Sequence, residues 1–417
     1  MNETSRSIEA VWKIEASRVI AGLVRVLRDV GLAEEMAQDA LVSALEHWPR
    51  EGIPANPGAW LMATAKNRAI DELRRRKRVD SKDEDVRHVF FDRGHSRGIE
   101  EAVDDDVGDD LLRLVFIACH PVLSPEARVA LTLRMLGSLT TEEIARGFLV
   151  PEPTIAQRIV RAKRTLSEAF VPFELPHGAD RTARLPSVLE VIYLVFNEGY
   201  SATSGDSWMR PALCEEAMRL GRVLEGLMPD ESEIHGLVAL MEIQASRTRA
   251  RSRANGEPVP LLEQDRGLWD RLLITHGLAA LAKAEAPGPL GPYGLQAAIA
   301  ACHARAATAA ETDWPRIAML YAALAVVMPS PIVELNRAVA ISMAEGPAEG
   351  LARVDALREE PALAEYHLLP AVRGDLLAKL GRTVEARAEF ERAAALTRNA
   401  TESAFLRGRA AALRSPS

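Results

Sequence analysis

The sequence predicts an all-α protein made of several helical domains. Its 417 residues suggest two to four domains at roughly 150 residues each. The apolar fraction of 48% is sufficient for packed cores, whereas aromatic residues make up only 5%. Alanine, leucine, arginine and glutamate dominate, and most of these side chains lose little rotamer freedom in a helix. No sustained alternation of apolar and polar residues and no Asn-Gly hairpin indicates a strand.

Residues 1–80 are predicted to form a first helical domain. The pattern indicates helices at 11–30, 33–48 and 58–78, with a break at Gly31-Leu32 and a Pro- and Gly-rich loop at 49–57. The third helix ends in a basic run, Arg74-Arg75-Arg76-Lys77-Arg78.

Residues 81–110 are predicted to be a flexible acidic linker. They include Asp83-Glu84-Asp85, Glu100-Glu101 and Asp104-Asp105-Asp106, and such a composition is typical of solvated, poorly ordered chain. Fully extended, the linker could reach about 100 Å. DNA elements two helical turns apart are separated by roughly 70 Å, so one chain could contact both. The linker is too acidic to bind DNA and could instead occupy a basic channel on a partner.

A helix-turn-helix is predicted at 139–164, within a second domain at 111–175. Thr140 and Glu143 have capping-box spacing for its first helix. The second helix is expected to start near Pro153, which suits a first turn, and to run to about Phe170. The polar side chains on that second helix include Gln157, Arg158, Arg161, Lys163 and Arg164. Apolar packing of the two helices is supplied by Ile144, Ala145, Phe148, Ile155 and Ile159. This division suits a recognition helix in the major groove, and the alternative is a plain hairpin with a basic face.

Residues 176–417 are predicted to form a helical repeat domain. Small and apolar residues around Gly374 have the spacing of a tetratricopeptide unit, in which small residues allow two antiparallel helices to pack closely. The residues are Gly374, Leu377, Gly381, Ala386, Phe390 and Ala393. Gly346 lies 35 residues before Gly381 in similar surroundings. A degenerate earlier unit is expected at 314–329 and 331–344.

Charge and cysteine usage restrict the class of protein. The net charge is −8, so any DNA-binding surface must concentrate positive charge locally. The cysteines Cys119, Cys214 and Cys302 lie far apart, which predicts no disulfide framework and a reducing cytoplasm. Because the N-terminus is polar, we expect no signal segment. Because no apolar run is long enough to span a membrane, we expect no membrane contact.

The helix at 58–78 has a polar face suited to nucleic acid. Asn67, Asp71, Arg74 and Arg78 follow one another at i+4, i+3 and i+4 and therefore share one face. Basic residues can contact phosphates, and Asn and Arg can also read base edges. The alternative is a solvated helix end whose arginines complement the helix dipole.

These segments resemble extracytoplasmic-function sigma factors. Residues 33–39 (AEEMAQD) resemble the family's A-E-D-L-V-Q-E stretch, and residues 60–75 resemble its specific pattern W-L-x-x-x-A-R-N-x-A-x-D-x-x-R-R. The resemblance implies that residues 1–80 are sigma region 2, which binds core RNA polymerase and the −10 element. It implies core-binding roles for Glu35, Gln38 and Asp39. The −10 residues implied are Trp60, Asn67, Arg68, Arg74 and Arg75, together with loop 49–58, while we interpret Asp71 as orienting its neighbours.

Residues 139–145 and 154–163 resemble sigma region 4, whose family forms are L-S-x-x-E-I-A and T-V-x-S-R-L-x-R-A-R. The resemblance implies recognition of the −35 element by Thr154, Gln157, Arg158, Arg161 and Lys163. The sequence departs from the region 4 pattern at three positions. Leu149 stands where the family usually has a turn glycine, and Pro153 and Gln157 also differ from the common pattern. Residues 176–417 look like the tetratricopeptide-like extension of one subgroup, which is thought to replace a separate anti-sigma protein. That extension is expected to bind a protein partner or to contact the rest of the chain.

No catalysis, cofactor or metal site is predicted. The pairs Cys119-His120 and Cys302-His303 lack metal-ligand spacing, and buried structural thiols are commoner. Neither a GxxxxGK[ST] phosphate loop nor a GxSxG elbow occurs. Residues 191–200 (VIYLVFNEGY) are expected to be a buried helix, and 201–208 a connecting loop.

Two other hypotheses remain at this point. The first is a helix-turn-helix activator or repressor whose repeat domain senses a ligand or protein and which binds intact duplex alone. The second is a helical scaffold whose basic helices bind acidic proteins or RNA, with weak, salt-sensitive binding and no sequence preference. Truncation after about Val171 would release activity if the repeat domain inhibits; we expect it to reduce activity instead.

Overall fold

The computed structural model describes residues 3–80, 107–148, 150–169, 171–201, 209–253, 257–397 and 399–413. Helices with short connections make up most of this part of the chain, which also contains an isolated bridge between Ser252 and Pro258. The all-α prediction is confirmed. None of the helices in these residues combines the length and apolar content that a membrane crossing requires.

The chain folds as two compact units, Met1–Ile192 and Tyr193–Ser417. The first unit contains seven complete helices among the described residues and the first part of an eighth. Their bounds are α1 Glu3–Leu27, α2 Val30–Glu51, α3 Pro57–Asp80, α4 Val107–Ala118, α5 Pro125–Met135, α6 Thr141–Phe148, α7 Glu152–Glu168 and α8 Gly178–Tyr200.

Helix α1 lies at the centre of the first unit, because it packs against α2, α3 and α4. Its inner face buries Val19 and Leu23, and the facing helices bury Trp48, Leu61 and Phe116. Burying large apolar side chains stabilises the fold by roughly 1.5–3 kcal/mol each.

The first predicted break is displaced from Gly31-Leu32 to Arg28-Asp29. Arg28 has a positive φ of 50°, and the Asp29 carboxylate caps α2 by accepting a hydrogen bond from the Leu32 backbone N–H at 2.9 Å. Aspartate is a strong N-cap residue, so Gly31 falls inside the first turn of the helix. The loop predicted at 49–57 also starts later, because α2 continues through Pro49 to Glu51 and ends at Gly52, whose φ is 88°.

The predicted linker ends earlier than residue 110. Helix α4 begins at Val107, and Asp110 is buried in ion pairs with Arg25 and Arg113. Composition alone did not distinguish Asp110, whose carboxylate is buried in ion pairs, from the solvated acidic residues of a linker. The remainder of the linker prediction, residues 81–106, lies outside the described residues.

The helix-turn-helix is formed by α6 and α7. The predicted capping box is confirmed: the Glu143 N–H donates to Thr140 Oγ1 at 3.1 Å, and the Thr140 N–H donates to Glu143 Oε2 at 2.7 Å. Pro153 lies in the first turn of α7, as predicted. The positions of Leu149 and Phe170 lie outside the described residues.

The boundary between the two units falls inside α8, whereas the sequence suggested a division after residue 175. The N-terminal half of α8 packs on helices of the first unit. Ser187 Oγ donates to the Cys119 carbonyl at 2.7 Å, and Arg184 donates to the Phe116 carbonyl at 2.7 Å. Arg128 also forms a 3.0 Å ion pair with Glu190. These contacts account for the position of the boundary.

The second unit consists of successive helices that pack against their neighbours along the chain. Besides the end of α8, its helices are α9 Pro211–Leu227, α10 Ser232–Ala245, α11 Arg271–Glu285, α12 Pro292–Arg305, α13 Trp314–Val327, α14 Pro331–Glu345, α15 Pro347–Ala356, α16 Leu368–Lys379, α17 Thr383–Leu396 and α18 Ala400–Ala412. The predicted helical pair at 314–344 corresponds to α13 and α14.

The predicted pair around Gly374 is formed by α16 and α17. A Cβ atom added to Gly374 would lie 3.2 Å from the Ala386 carbonyl and from the Phe390 ring, so only a small residue allows this approach. Gly381 has a φ of 76° at the turn, and Gly346 has a φ of 112° between α14 and α15. The two glycines therefore end corresponding helices, as their spacing indicated.

Buried arginines stabilise the second unit by capping helix ends. Arg266 donates to the carbonyls of His303 and Ala306, where α12 ends. Arg251 donates to the Tyr200 carbonyl at the end of α8. Cations at helix C-termini satisfy carbonyls that lack an intrahelical partner and complement the macrodipole.

Candidate nucleic-acid interface

Helix α3 separates an apolar inner face from a polar outer face. Leu61, Ala65 and Ala69 are buried against α1 and α2, whereas Asn67 and Arg68 are exposed. Arg74 and Arg75 are exposed as well. Four of the five residues implied for the −10 element therefore share the accessible side of one helix.

The two arginines near the end of α3 are held by acidic neighbours on the same helix. Arg74 lies 3.8 Å from Asp71, and Arg75 donates from Nε to Glu72 at 2.8 Å. The hydrogen bond to Glu72 raises the pKa of Arg75. Exposed pairs of this kind contribute little net stability, so a DNA phosphate can compete for either guanidinium. The position of Asp71 beside Arg74 fits the orienting role interpreted from the sequence.

Trp60 has a different environment from the other four residues. Its ring packs edge-on against the buried Trp48 ring, with 5.3 Å between centroids, and lies 6.4 Å from His47. It is half-buried, at the point where α3 begins. Trp60 therefore fixes the start of α3 against α2.

Helix α7 presents the second polar surface. Ile155, Ile159 and Leu166 are buried against α5 and α6, while Gln157 and Arg161 are exposed on the opposite side. The two other residues of the N-terminal half, Thr154 and Arg158, are half-buried. These four side chains lie within two turns at the N-terminal end of α7, which is the end that contacts base edges in helix-turn-helix proteins.

Lys163 is placed differently from the residues grouped with it. Its Nζ forms an ion pair with Glu34, a residue of α2 that is only 5% exposed. Arg134 of α5 donates to the same carboxylate at 2.6 Å, and Gln38 donates to it at 2.7 Å. Lys163 and Gln38, assigned separately to DNA and polymerase, thus converge on one carboxylate.

Glu34 and Arg134 were not among the residues predicted from the sequence. Glu34 lies next to Ala33 and three residues before Ala37, both fully buried, so it occupies the apolar side of α2. The sequence signal that could have identified Glu34 is a glutamate within the apolar stripe of a helix, because acidic residues are rarely buried unless paired.

The outer side of α2 combines acidic and apolar groups. Glu35 is exposed, Asp39 is half-buried, and Val42 and Leu45 are 52% and 46% exposed. A mixed surface of this kind is typical of protein contacts rather than of DNA contacts.

The described residues contain no group of three or more His, Cys, Asp or Glu side chains arranged to hold a metal ion. Cys119 is buried with its sulfur 3.3 Å from Thr132 Oγ1, and burial raises the pKa of its thiol to about 11. Cys214 and Cys302 are also buried and free. Such thiols behave as small apolar groups.

Three family models match the chain. The model described as sigma-70 region 2 matches residues 13–79, and the model described as sigma-70 region 4 matches residues 113–166. A family of unknown function, DUF6596, matches residues 184–285. The two sigma-70 matches include most of α3 and most of α7, which are the two helices with exposed polar faces.

Similar proteins extend these matches. An uncharacterised protein of Rhizobium meliloti (strain 1021) is 45% identical over 390 residues, covering 94% of this chain and 92% of the relative. The ECF RNA polymerase sigma factor SigL of Mycobacterium tuberculosis is 29% identical over 144 residues, which cover 34% of this chain and 77% of SigL. The RNA polymerase sigma-H factor of Pseudomonas aeruginosa is 27% identical over 159 residues, covering 37% and 81%. No solved structure matches.

Proposed function

The chain belongs to the sigma-70 family as an extracytoplasmic-function-like sigma factor with a helical C-terminal extension, and from this we propose how its surfaces are used. It is an RNA polymerase sigma factor, with core polymerase and promoter DNA as partners. We propose region 2 at residues 1–80, region 4 at 111–175 extended back to Val107, and the C-terminal domain at 176–417. The compartment proposed is the cytoplasm, where its polymerase works.

Helix α3 and the preceding loop are proposed to open and read the −10 element. The observation that supports this most directly is the row of exposed polar side chains opposite a buried apolar row. Asn67 is suited to base edges, while Arg68, Arg74 and Arg75 are suited to phosphates. Trp60 is proposed to position the start of α3.

Helix α7 is proposed to enter the major groove at the −35 element. Gln157 and Arg161 would read base edges or adjacent phosphates, with Thr154 and Arg158 beside them. Lys163 joins this surface only when its ion pair with Glu34 is broken.

The outer face of α2 is proposed to dock on core polymerase. Glu35 and Asp39 would supply charge complementarity and Val42 and Leu45 apolar contact, which together favour a specific protein interface. Gln38 lies at the margin of this face.

Reconstitution with core polymerase tests this function. The purified chain and bacterial core RNA polymerase are mixed, separated by size exclusion, and assayed for run-off transcription from the DNA upstream of the gene. We expect co-elution and a defined start site. Failure to bind core combined with tight sequence-specific duplex binding would support a helix-turn-helix regulator instead, and failure of both would support the scaffold hypothesis.

The C-terminal domain is proposed to hold the transcription complex together, either through a protein partner or through the chain itself. Two truncations separate this role from a structural one. A chain ending at Val171 loses the contacts of Arg184 and Ser187 with the first unit, whereas a chain ending at Ile192 keeps them.

We expect the 1–171 chain to unfold at lower temperature than the 1–192 chain, because the carbonyls of Phe116 and Cys119 lose their donors. Transcription should fall in both truncated chains, and thermal unfolding monitored by circular dichroism supplies the stability comparison. Full activity of the 1–192 chain would contradict the proposed supporting role of the C-terminal domain.

A further inference from the structure

Three arginines of the second unit lie together in the connection between α10 and α11. Arg247 and Arg251 follow α10, and Arg266 precedes α11. The guanidinium carbons of Arg247 and Arg266 are 5.9 Å and 4.8 Å from the centroid of the Trp269 ring. Those of Arg247 and Arg251 are 5.9 Å and 3.5 Å from the centroid of the Tyr200 ring. The three cations therefore form one group, which we term the arginine cluster.

Uncharged groups accept hydrogen bonds from all three arginines. Arg247 Nη2 donates to the Tyr200 hydroxyl at 2.6 Å, and Arg251 donates to the Tyr200 carbonyl. Arg266 donates to Thr312 Oγ1 at 3.2 Å and to two carbonyls at the end of α12. These hydrogen bonds satisfy N–H groups but cancel none of the positive charge, which is costly to hold away from water.

The positive charges of the arginine cluster also act on one another. Burial lowers the pKa of Arg266, and the charge of Arg247 lowers it further. Burial lowers the pKa of Arg251 as well, and Arg247 again adds to the effect. An exposed carboxylate, Glu311, acts in the opposite direction on Arg266. An anion placed among the three guanidiniums would therefore relieve repulsion in addition to accepting hydrogen bonds.

Two buried ring nitrogens beside the cluster, Trp269 Nε1 and His303 Nδ1, have no hydrogen-bond partner among the residues that the structure describes. Trp269 is only 3% exposed, and an indole N–H can only donate, so this group requires an acceptor. Burial lowers the pKa of His303 to about 4, and the charges of Arg247 and Arg266 add to the shift. The neutral imidazole can carry its proton on Nδ1 and donate as well.

A phosphate group matches these donors better than a carboxylate does. Arginine guanidiniums bind the oxygens of both groups through paired N–H donors. A phosphate monoester carries close to two negative charges and three acceptor oxygens, whereas a carboxylate carries one charge and two oxygens. Three neighbouring cations and two unpartnered ring nitrogens therefore favour phosphate.

We propose that the arginine cluster, together with Trp269 and His303, binds a phosphate group, so that the C-terminal domain has a site for inorganic phosphate or a small phosphorylated molecule. Arg247 and His303 are half-buried, which leaves the site a route to solvent. Arg251 and Arg266 hold helix ends and supply positive potential. This inference goes beyond the proposed function, because it requires neither polymerase nor DNA.

Two variants of the full chain test the site. Arg247→Gln removes the charge and keeps a polar side chain. Trp269→Phe keeps an aromatic ring and removes the indole N–H, which has no partner among the described residues. Arg249→Gln is the matched control, because Arg249 is an exposed arginine two residues from Arg247. Circular dichroism establishes that each variant is folded.

The measurement is isothermal titration calorimetry with inorganic phosphate, at an ionic strength held constant with chloride. We expect the parent and Arg249→Gln to bind phosphate with a dissociation constant of about 1 mM or lower. Binding should be about 10-fold weaker in Arg247→Gln and about 5-fold weaker in Trp269→Phe, because each loses a charge-assisted hydrogen bond. Phosphate bound by the basic helices of the first unit would instead be unaffected by these two variants.

Titrations with glycerol phosphate and acetate identify the anion. Tighter binding of glycerol phosphate than of inorganic phosphate would support a phosphorylated organic ligand, and the reverse order would support phosphate itself. Acetate binding as tight as phosphate binding would overturn the choice of phosphate.

The proposal is also overturned if the parent binds no phosphate at concentrations up to about 10 mM, or if the parent and both variants bind it equally. If one variant does not fold, the other decides between these outcomes. The titration uses the chain alone, so its result is independent of whether the chain binds core polymerase.

Discussion

Replacing Asn67 and Arg74 together with alanine is expected to slow promoter opening about 100-fold. Each contact of this type contributes roughly 1–3 kcal/mol, and 1.4 kcal/mol corresponds to a factor of ten. Both side chains are exposed on α3, so the fold should be retained. The measurement is the rate of open-complex formation, followed by the reactivity of unpaired thymines at the −10 element.

Initial association should change far less, by less than about 3-fold, because region 4 and the remaining arginines still contact the duplex. Arg18→Ala is the matched control, since Arg18 is an exposed cation of α1 on the same region. An opening rate equal to that of the parent would remove Asn67 and Arg74 from the −10 surface.

Replacing Arg158 and Arg161 with alanine is expected to weaken use of the −35 element about 100-fold, while binding to core polymerase stays within about 2-fold. Arg161 is exposed on α7 and Arg158 is half-buried beside it, so both can reach a groove. The loss of two cationic contacts should also reduce the slope of log affinity against log salt by about 1 to 2.

The measurement is binding of holoenzyme to promoter fragments at several salt concentrations, with native and scrambled −35 sequences. Arg164→Ala is the control, because Arg164 lies on the same helix and is paired with Glu168 at 2.6 Å. If the double variant still distinguishes the native from the scrambled element, the recognition surface lies elsewhere.

Local patterns along the chain were sufficient for much of the fold. The capping box at Thr140 and Glu143 and the apolar row of α7 are short-range features, because residues three and four apart meet on a helix. The close approach at Gly374 and the turn at Gly381 were also visible as spacing. Helix ends were predicted less accurately. In α2 the Asp29 side chain caps the helix before Gly31, and the helix continues through Pro49, so neither Gly31 nor Pro49 marks a helix end.

The candidate surfaces were also only partly predictable from the sequence. Exposure of Asn67, Arg68, Gln157 and Arg161 follows from helical periodicity, since their apolar counterparts fix which side of each helix is buried. Trp60 could not be assigned in this manner, because its packing on Trp48 depends on how α2 meets α3.

The sequence by itself determined the helical class and the two polar helices, because each depends on contacts within one or two helical turns. The spacing of small residues also indicated the repeated pairs at the C-terminal end. Only the tertiary structure decided that Asp110 is buried, that the start of α8 belongs with the first unit, and that Glu34 meets Arg134 and Lys163. Glu34 and Lys163 are 129 residues apart in the chain. No periodic pattern encodes such a pairing, which exists because a buried carboxylate requires cations wherever the packing of helices can supply them.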